Sequence, residues 1–238
     1  LHTAYRRQRQ MCIRDRLLLS FAAAYYAYKS SFIGSTLYDP IFGSIELGGW
    51  YIPFTMFMII AVVNSANLTD GLDGLLSGVS LIYSIAMGVL FLYFAKVFDG
   101  SFINEPRFVA NRDGMLCMSV FAFAVAGGCL GFLKSNSYPA KVFMGDTGSM
   151  ALGGAMSAMV IYSRSPFLFL LMGVCIVASA VSVVLQVGSF KLRHGKRIFK
   201  MAPLHHHFEL LGYPETKVVS GYMIVTALAC VAALALFL

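Results

Sequence analysis

Three short polar stretches interrupt an otherwise apolar chain of 238 residues. The first, Asn64-Ser65-Ala66-Asn67-Leu68-Thr69-Asp70-Gly71-Leu72-Asp73-Gly74-Leu75, holds two asparagines and two aspartates. If residues 70–75 are helical, Asp70 and Asp73 stand at i, i+3 on one face and can address a shared cation or phosphate. Capping of the next helix, with the glycines in a turn, is the competing reading. Against it, carboxylates at membrane depth are costly without partners.

The second stretch, Lys134-Ser135-Asn136-Ser137-Tyr138-Pro139-Ala140-Lys141-Val142-Phe143-Met144-Gly145-Asp146-Thr147-Gly148-Ser149, ends just before an apolar segment. Asp146, Thr147 and Ser149 there face free backbone N–H groups and a helix dipole that favour an anion. A lone aspartate at this position also serves as an N-cap, but Gly145 and Gly148 permit close backbone approach to a ligand. Carboxylate oxygens suit Mg²⁺, which pairs one or two of them with substrate phosphates. The third stretch, Gly195-Lys196-Arg197-Ile198-Phe199-Lys200-Met201-Ala202-Pro203-Leu204-His205-His206-His207-Phe208-Glu209, is too short and too internal to be a purification tag. Consecutive helical positions point about 100° apart, so three adjacent histidines rarely bind one ion. Instead Pro203 is expected to start a short amphipathic helix whose histidines meet phosphates. The basic run over 191–200 either holds a diphosphate or rests on anionic headgroups. Gln186, near the end of an apolar run, is either a helix-packing hydrogen bonder or part of the site.

The elements that must position these groups are membrane helices. The chain is 58% hydrophobic and 12% charged, with mean hydropathy +0.75, a balance that excludes an ordinary soluble globular domain. About 20 apolar residues span a bilayer core, and clear runs of that kind cover 50–68, 76–95, 115–133, 167–187 and 219–238. Weaker ones cover 17–33 and 148–163. The expected fold is an all-α membrane protein, a polytopic bundle of about seven transmembrane helices with a small outer-side β-hairpin. That hairpin is placed around Gly43-Ser44, between two short alternating stretches, and the loop over 96–113 is expected to be irregular. Threading seven spans puts thirteen of the 18 Lys and Arg on the side that carries the three polar stretches, or eight against five without residues 1–16, a weaker bias of the same sign that makes that side cytoplasmic. The net charge of +7 is therefore topological and implies no nucleic acid. Five scattered cysteines fit small core hydrophobes.

Carboxylates, histidines and cations gathered at one membrane face are what phosphoryl transfer needs, because the charge on the transferring phosphate must be neutralised while the nucleophile is held in line. The three stretches resemble those of the polyprenyl-phosphate N-acetylhexosamine-1-phosphate transferases. The unbroken His205-His206-His207 after Met201-Ala202-Pro203 is similar to the branch acting on phospho-N-acetylmuramoyl-pentapeptide. The resemblance runs from about residue 17 to the end. It implies a bacterial inner-membrane enzyme, multi-pass, with its site on the cytoplasmic face and a homodimeric assembly. Undecaprenyl phosphate would attack the sugar-linked phosphorus of UDP-N-acetylmuramoyl-pentapeptide, releasing UMP and forming lipid I. By family position Asp146 would bind Mg²⁺, and Asp70, Asp73 and His205 would be catalytic. Asn67, Asn136, Phe143, Gly145, Ser149, Gln186, His206 and His207 would contact substrate, with Phe143 and Asn136 at the uridine.

The family's earlier helices and its adjacent aspartate pair are absent from this sequence, and Ser179 stands where many members carry a glutamate. Residues 1–16 are read as foreign to the family, and 17–238 as the carboxy-terminal two thirds of a transferase domain, so the chain as given is expected to be inactive. A related transferase of another amino-sugar phosphate is one alternative. An ion-conducting or transport bundle is another, but it would place polar residues through the middle of several spans, whereas here they crowd at one edge.

Overall fold

A computed structural model describes residues 2–39, 43–97, 106–193 and 195–237. Helix α1 (His2–Lys29) leads to strands β1 (Thr36–Asp39) and β2 (Gly43–Glu46) and a 3-10 turn, Gly48–Trp50. Then come α2 (Tyr51–Thr69), α3 (Leu75–Val97), α4 (Pro106–Asn136), α5 (Gly145–Ser163), α6 (Pro166–Met172), α7 (Val174–Leu192), α8 (Leu204–Glu209) and α9 (Glu215–Phe237). The protein is an all-α polytopic membrane protein with one small antiparallel sheet.

Among the described residues, five helical segments are long and apolar enough to cross a membrane: Gly48–Thr69, Leu75–Lys96, Arg112–Asn136, Val174–Leu192 and Glu215–Phe237. Helices α1 and α5, the two weaker candidates, are not among them. The expected span over 167–187 is broken, because Gly173 ends α6 and its N–H donates to Phe169 O at 2.8 Å before α7 begins. What crosses is therefore α7, shifted toward the basic stretch.

Helix α3 is the axis of the bundle: 72% of its most apolar window is buried, against 28% or less in the other four spans. It packs between α4 and α9, while α2 lies against α1, α5 and α7. Outward faces stay apolar because lipid is as good a solvent for them as protein, so close backbone approach and interhelical hydrogen bonds decide which helices meet. Gly153 of α5 shows this. A Cβ there would lie 2.7 Å from Val63 Cα on α2, so the absent side chain lets the helices touch, and the end of α2 meets the start of α5.

The hairpin forms, but not around Gly43-Ser44. Both residues lie within β2, in the register Asp39↔Gly43 and Tyr38↔Ser44, and the connecting residues 40–42 fall outside the described ones. The alternation over 41–47 misled because the partner strand is Thr36–Asp39, upstream of it. Nor is 96–113 irregular throughout: α3 runs to Val97 and α4 begins at Pro106, where proline's fixed φ suits a first helical turn. Residues 98–105 lie outside the described ones. Cys129, Cys175 and Cys230 are buried free thiols, and Cys117 is an exposed one.

Candidate active site

The three polar stretches occupy the connections α2–α3, α4–α5 and α7–α9; α5, though less apolar than the five spans, leads from Asp146 beside Asn67 to Arg164 beside Tyr38 of the hairpin, so all three connections lie at one end. Residues 70–74 are not helical; they form a turn between α2 and α3. Asp70 and Asp73 consequently do not share a helix face. The turn sends one carboxylate toward α5 and the other toward the 137–142 loop.

On the α5 side, Asn67 Nδ2 donates to Asp146 Oδ1 at 3.1 Å and to Ser149 Oγ at 2.9 Å. One amide thus orients the carboxylate at the start of α5. Ser149 is buried, whereas Asp146 is exposed. Half-burial pushes the Asp70 carboxyl above the usual carboxylate range, and the nearby charge of Asp146 pushes it the same way. The two acidic groups are thus close enough to feel one another's charge. Gly145 opens α5 at φ 66, and Phe143, just before it, leaves 74% of its surface exposed.

On the other side, Asp73 Oδ2 accepts the Ala140 N–H at 2.8 Å, and the Asp73 N–H donates to Glu215 Oε1 at 2.6 Å. Asp73 is thereby a junction between the α4–α5 loop and the start of α9. Asn136 is buried, its Oδ1 accepting from Ser77 Oγ at 2.8 Å and its Nδ2 donating to Val142 O at 3.0 Å. It shapes the loop that presents Phe143.

Helix α8 starts after Pro203, as proline at the boundary suggested, and its histidines diverge. His205 is fully buried, and neither ring nitrogen has a hydrogen-bond partner. Its Nε2 edge lies against Gly71 so closely that a Cβ there would overlap it. His206 Nδ1 meets Glu209 Oε2 at 2.6 Å, and His207 Nδ1 accepts the Lys200 N–H at 3.1 Å. Gln186 is tied to the basic stretch: Nε2 donates to Phe199 O at 2.9 Å, and Oε1 accepts from the N–H groups of Ile198 and Phe199. Ser179, buried in α7, lies 3.3 Å from the Tyr222 hydroxyl, and the Tyr222 ring is in turn 6.3 Å from the His205 ring.

Burial, and next the neighbouring His206, push the His205 imidazole down to about 4. At neutral pH the ring is therefore uncharged, available as donor or acceptor rather than as a cation. Because the folded value lies below the ordinary one, the unfolded chain takes up a proton that the folded chain refuses as pH falls from 6.5 toward 4. The burial costs nothing above that window and up to about 3 kcal/mol below it. Thermal unfolding in detergent should show the native chain losing stability between pH 6.5 and 5 and His205→Gln losing less. Equal slopes would contradict this placement of the ring.

The sequence pattern of glycosyl transferase family 4 matches residues 9–164, two of the three polar stretches included. The chain belongs to glycosyl transferase family 4. Among curated proteins it is 43% identical to the phospho-N-acetylmuramoyl-pentapeptide-transferase of Clostridium perfringens (strain 13 / Type A) over 220 residues, covering 92% of this chain and 62% of the relative. It is 48% identical to the protein of that name from Clostridioides difficile (strain 630) over 224 residues, covering 93% and 64%. The relative from Caldanaerobacter subterraneus subsp. tengcongensis is 43% identical over 232 residues, covering 96% and 67%. The chain spans about three fifths of the length of the first of these relatives.

Does the donor set of this family 4 chain suit Mg²⁺? Among the described residues no three His, Cys, Asp or Glu side chains gather closely enough to enclose an ion. Asp146 and Asp70 supply two carboxylates within electrostatic reach of one another, and Mg²⁺ characteristically takes one or two carboxylates and fills its octahedron with phosphate and water. The residues fit an ion completed by substrate and solvent. Glu215 is the group that the sequence did not single out. It sits 142 positions from Asp73, opens an apolar helix, and carries no local signal beyond the preceding Pro214.

Proposed function

We propose that this chain carries the catalytic face of an enzyme that transfers phospho-N-acetylmuramoyl-pentapeptide from its UDP carrier to undecaprenyl phosphate, giving lipid I and UMP in peptidoglycan synthesis. The observation that carries the reading is the convergence on one turn: Asn67 reaches Asp146 and Ser149, Asp73 reaches Ala140 and Glu215, and Gly71 receives His205. A transport pathway would need polar groups along its length, and none of these contacts continues into the middle of the bundle.

In the reaction a phosphate oxygen of the lipid attacks the sugar-linked phosphorus, and the bond from that phosphorus to the oxygen of UMP breaks. Asp146 and Asp70 would hold Mg²⁺, which when bound neutralises charge on the diphosphate. Asn67 orients Asp146 for that task. The exposed Phe143 ring offers a face for uracil to stack on. His205, neutral and without a partner, would hydrogen-bond a phosphate oxygen once the turn at Gly71 opens to admit substrate. Lys196, Arg197 and Lys200 lie on the segment that Gln186 pins, where they attract the anionic substrate. For the lipid, a groove of about 630 Å³ between α1, α2 and α5 is lined by Ile59, Val63, Met150 and Ala151. It ends at Asn64 and Thr147, the latter one residue from Asp146. This is a seat for a polyprenyl tail with its phosphate at the site. The motif-bearing end then faces the cytoplasm at the bacterial inner membrane, and the assembly is a homodimer.

A chimera tests the reading. Residues 17–238 replace the matching part of the Clostridioides difficile relative, and UMP release from UDP-N-acetylmuramoyl-pentapeptide is followed with undecaprenyl phosphate present. Mg²⁺-dependent release is expected. A membrane-inserted chimera that conducts ions and releases no UMP would favour transport instead.

A further inference from the structure

A second groove, of about 600 Å³, lies between α7, α8 and α9, away from the one beside Asp146. Val174, Cys175 and Ala178 form one wall, and Val218, Gly221 and Val225 the other. Leu204 and Phe208 of α8 line its motif-bearing end. Its walls are nearly all apolar, and its charged lining residue is Lys217, whose Nζ stands 5.8 Å from the centre of the Tyr213 ring. We propose that this groove is a binding site for an anionic glycerophospholipid, with one acyl chain between α7 and α9 and its phosphate at Lys217.

Three observations select that occupant. Along α9 the groove runs from Lys217 to Val225, eight residues or about 12 Å. That is close to the roughly 15 Å of hydrocarbon in one leaflet, half of a core of about 30 Å, so the groove is as deep as one leaflet and no deeper. The cation stands at the mouth, at headgroup level, beside an aromatic ring of the kind that sits at membrane interfaces. The rest of the lining offers almost nothing to a polar ligand, which rules against a sugar or nucleotide. Helix α8 gives the site a consequence: Leu204 and Phe208, at i, i+4, line the lipid seat, and His205, within about 100° of both around the helix, lies against Gly71. Tyr222 also lines the groove, with its ring near that of His205. A chain lodged there packs against Leu204, Phe208 and Tyr222, the side chains that flank the imidazole, and so steadies it against the turn.

The purified 238-residue chain in mild detergent, titrated with phosphatidylglycerol or phosphatidylcholine and read by native mass spectrometry, tests the assignment. The tightest-bound lipid should be phosphatidylglycerol, retained several-fold more strongly than phosphatidylcholine. Lys217→Gln should weaken it about fivefold, the effect of one basic residue near a surface. Gly221→Leu should remove it, because a Cβ at Gly221 meets nothing within 4 Å and the longer side chain fills the groove. Equal retention of the two lipids, or native phosphatidylglycerol binding in either variant, overturns the proposal. So does displacement of phosphatidylglycerol by undecaprenyl phosphate, which would make this groove an acceptor seat.

Discussion

Replacing Gly71 with alanine is expected to displace His205 and destabilise the protein by about 1–3 kcal/mol, the usual cost of forcing an extra carbon into a filled site. The new Cβ would occupy space that His205 Nε2 now fills. The imidazole cannot step aside: it is fully buried, with the His206 ring 4.3 Å and the Tyr222 ring 6.3 Å from its own. Either α8 moves away from the turn or the turn opens, and both separate the first polar stretch from the third. Thermal unfolding in detergent reads the effect, and a double mutant isolates its cause. In a His205→Ala background the ring is gone, so Gly71→Ala should cost much less, with a coupling well above the few tenths of a kcal/mol seen for independent sites. Additive losses would show that the two residues do not meet.

The second large effect is expected at Asn67. Its amide is the donor that orients Asp146, at 3.1 Å, and it holds Ser149 at 2.9 Å. Asn67→Leu keeps the approximate volume and removes the donor, leaving the carboxylate free to rotate. Groups that orient a metal-binding side chain typically contribute 10–100-fold in metal affinity or activity, and a loss in that range is expected for Mn²⁺ binding in the presence of UDP. Ser77→Ala is the control, since it removes only the bond to Asn136. Equal Mn²⁺ affinity in the native and Asn67→Leu chains would mean that Asp146 needs no orienting partner.

The membrane fold was legible because hydrocarbon imposes a length and a composition on whatever crosses it, and the polar stretches stood out against that background. Their meeting at one end followed from alternation of the spans. Less could be read where structure depends on contacts distant in sequence. The spacing of Asp70 and Asp73 fits a helix, yet residues 70–74 form a turn, and the second carboxylate is spent on Ala140 and the 137–142 loop. Asn136 and Gln186 stand in motifs as substrate-binding candidates, and what the motifs did not reveal is that their amides hold backbone of the 136–142 and 198–199 segments. No local pattern distinguishes an amide that binds a loop from one that awaits a substrate. Glu215 was invisible for the same reason. The break at Gly173 was missed because one glycine in an apolar run is as compatible with a continuous helix as with its end.

The most direct measurement is electron–nuclear double resonance of Mn²⁺ bound with UDP to the purified chain. If acidic and imidazole groups from separate stretches surround one metal–diphosphate, bound Mn²⁺ should show coupling to ³¹P, Asp146→Asn should abolish the bound signal, and His205→Gln should weaken UDP binding. A Mn²⁺–UDP complex held equally well by all three chains would contradict the shared site.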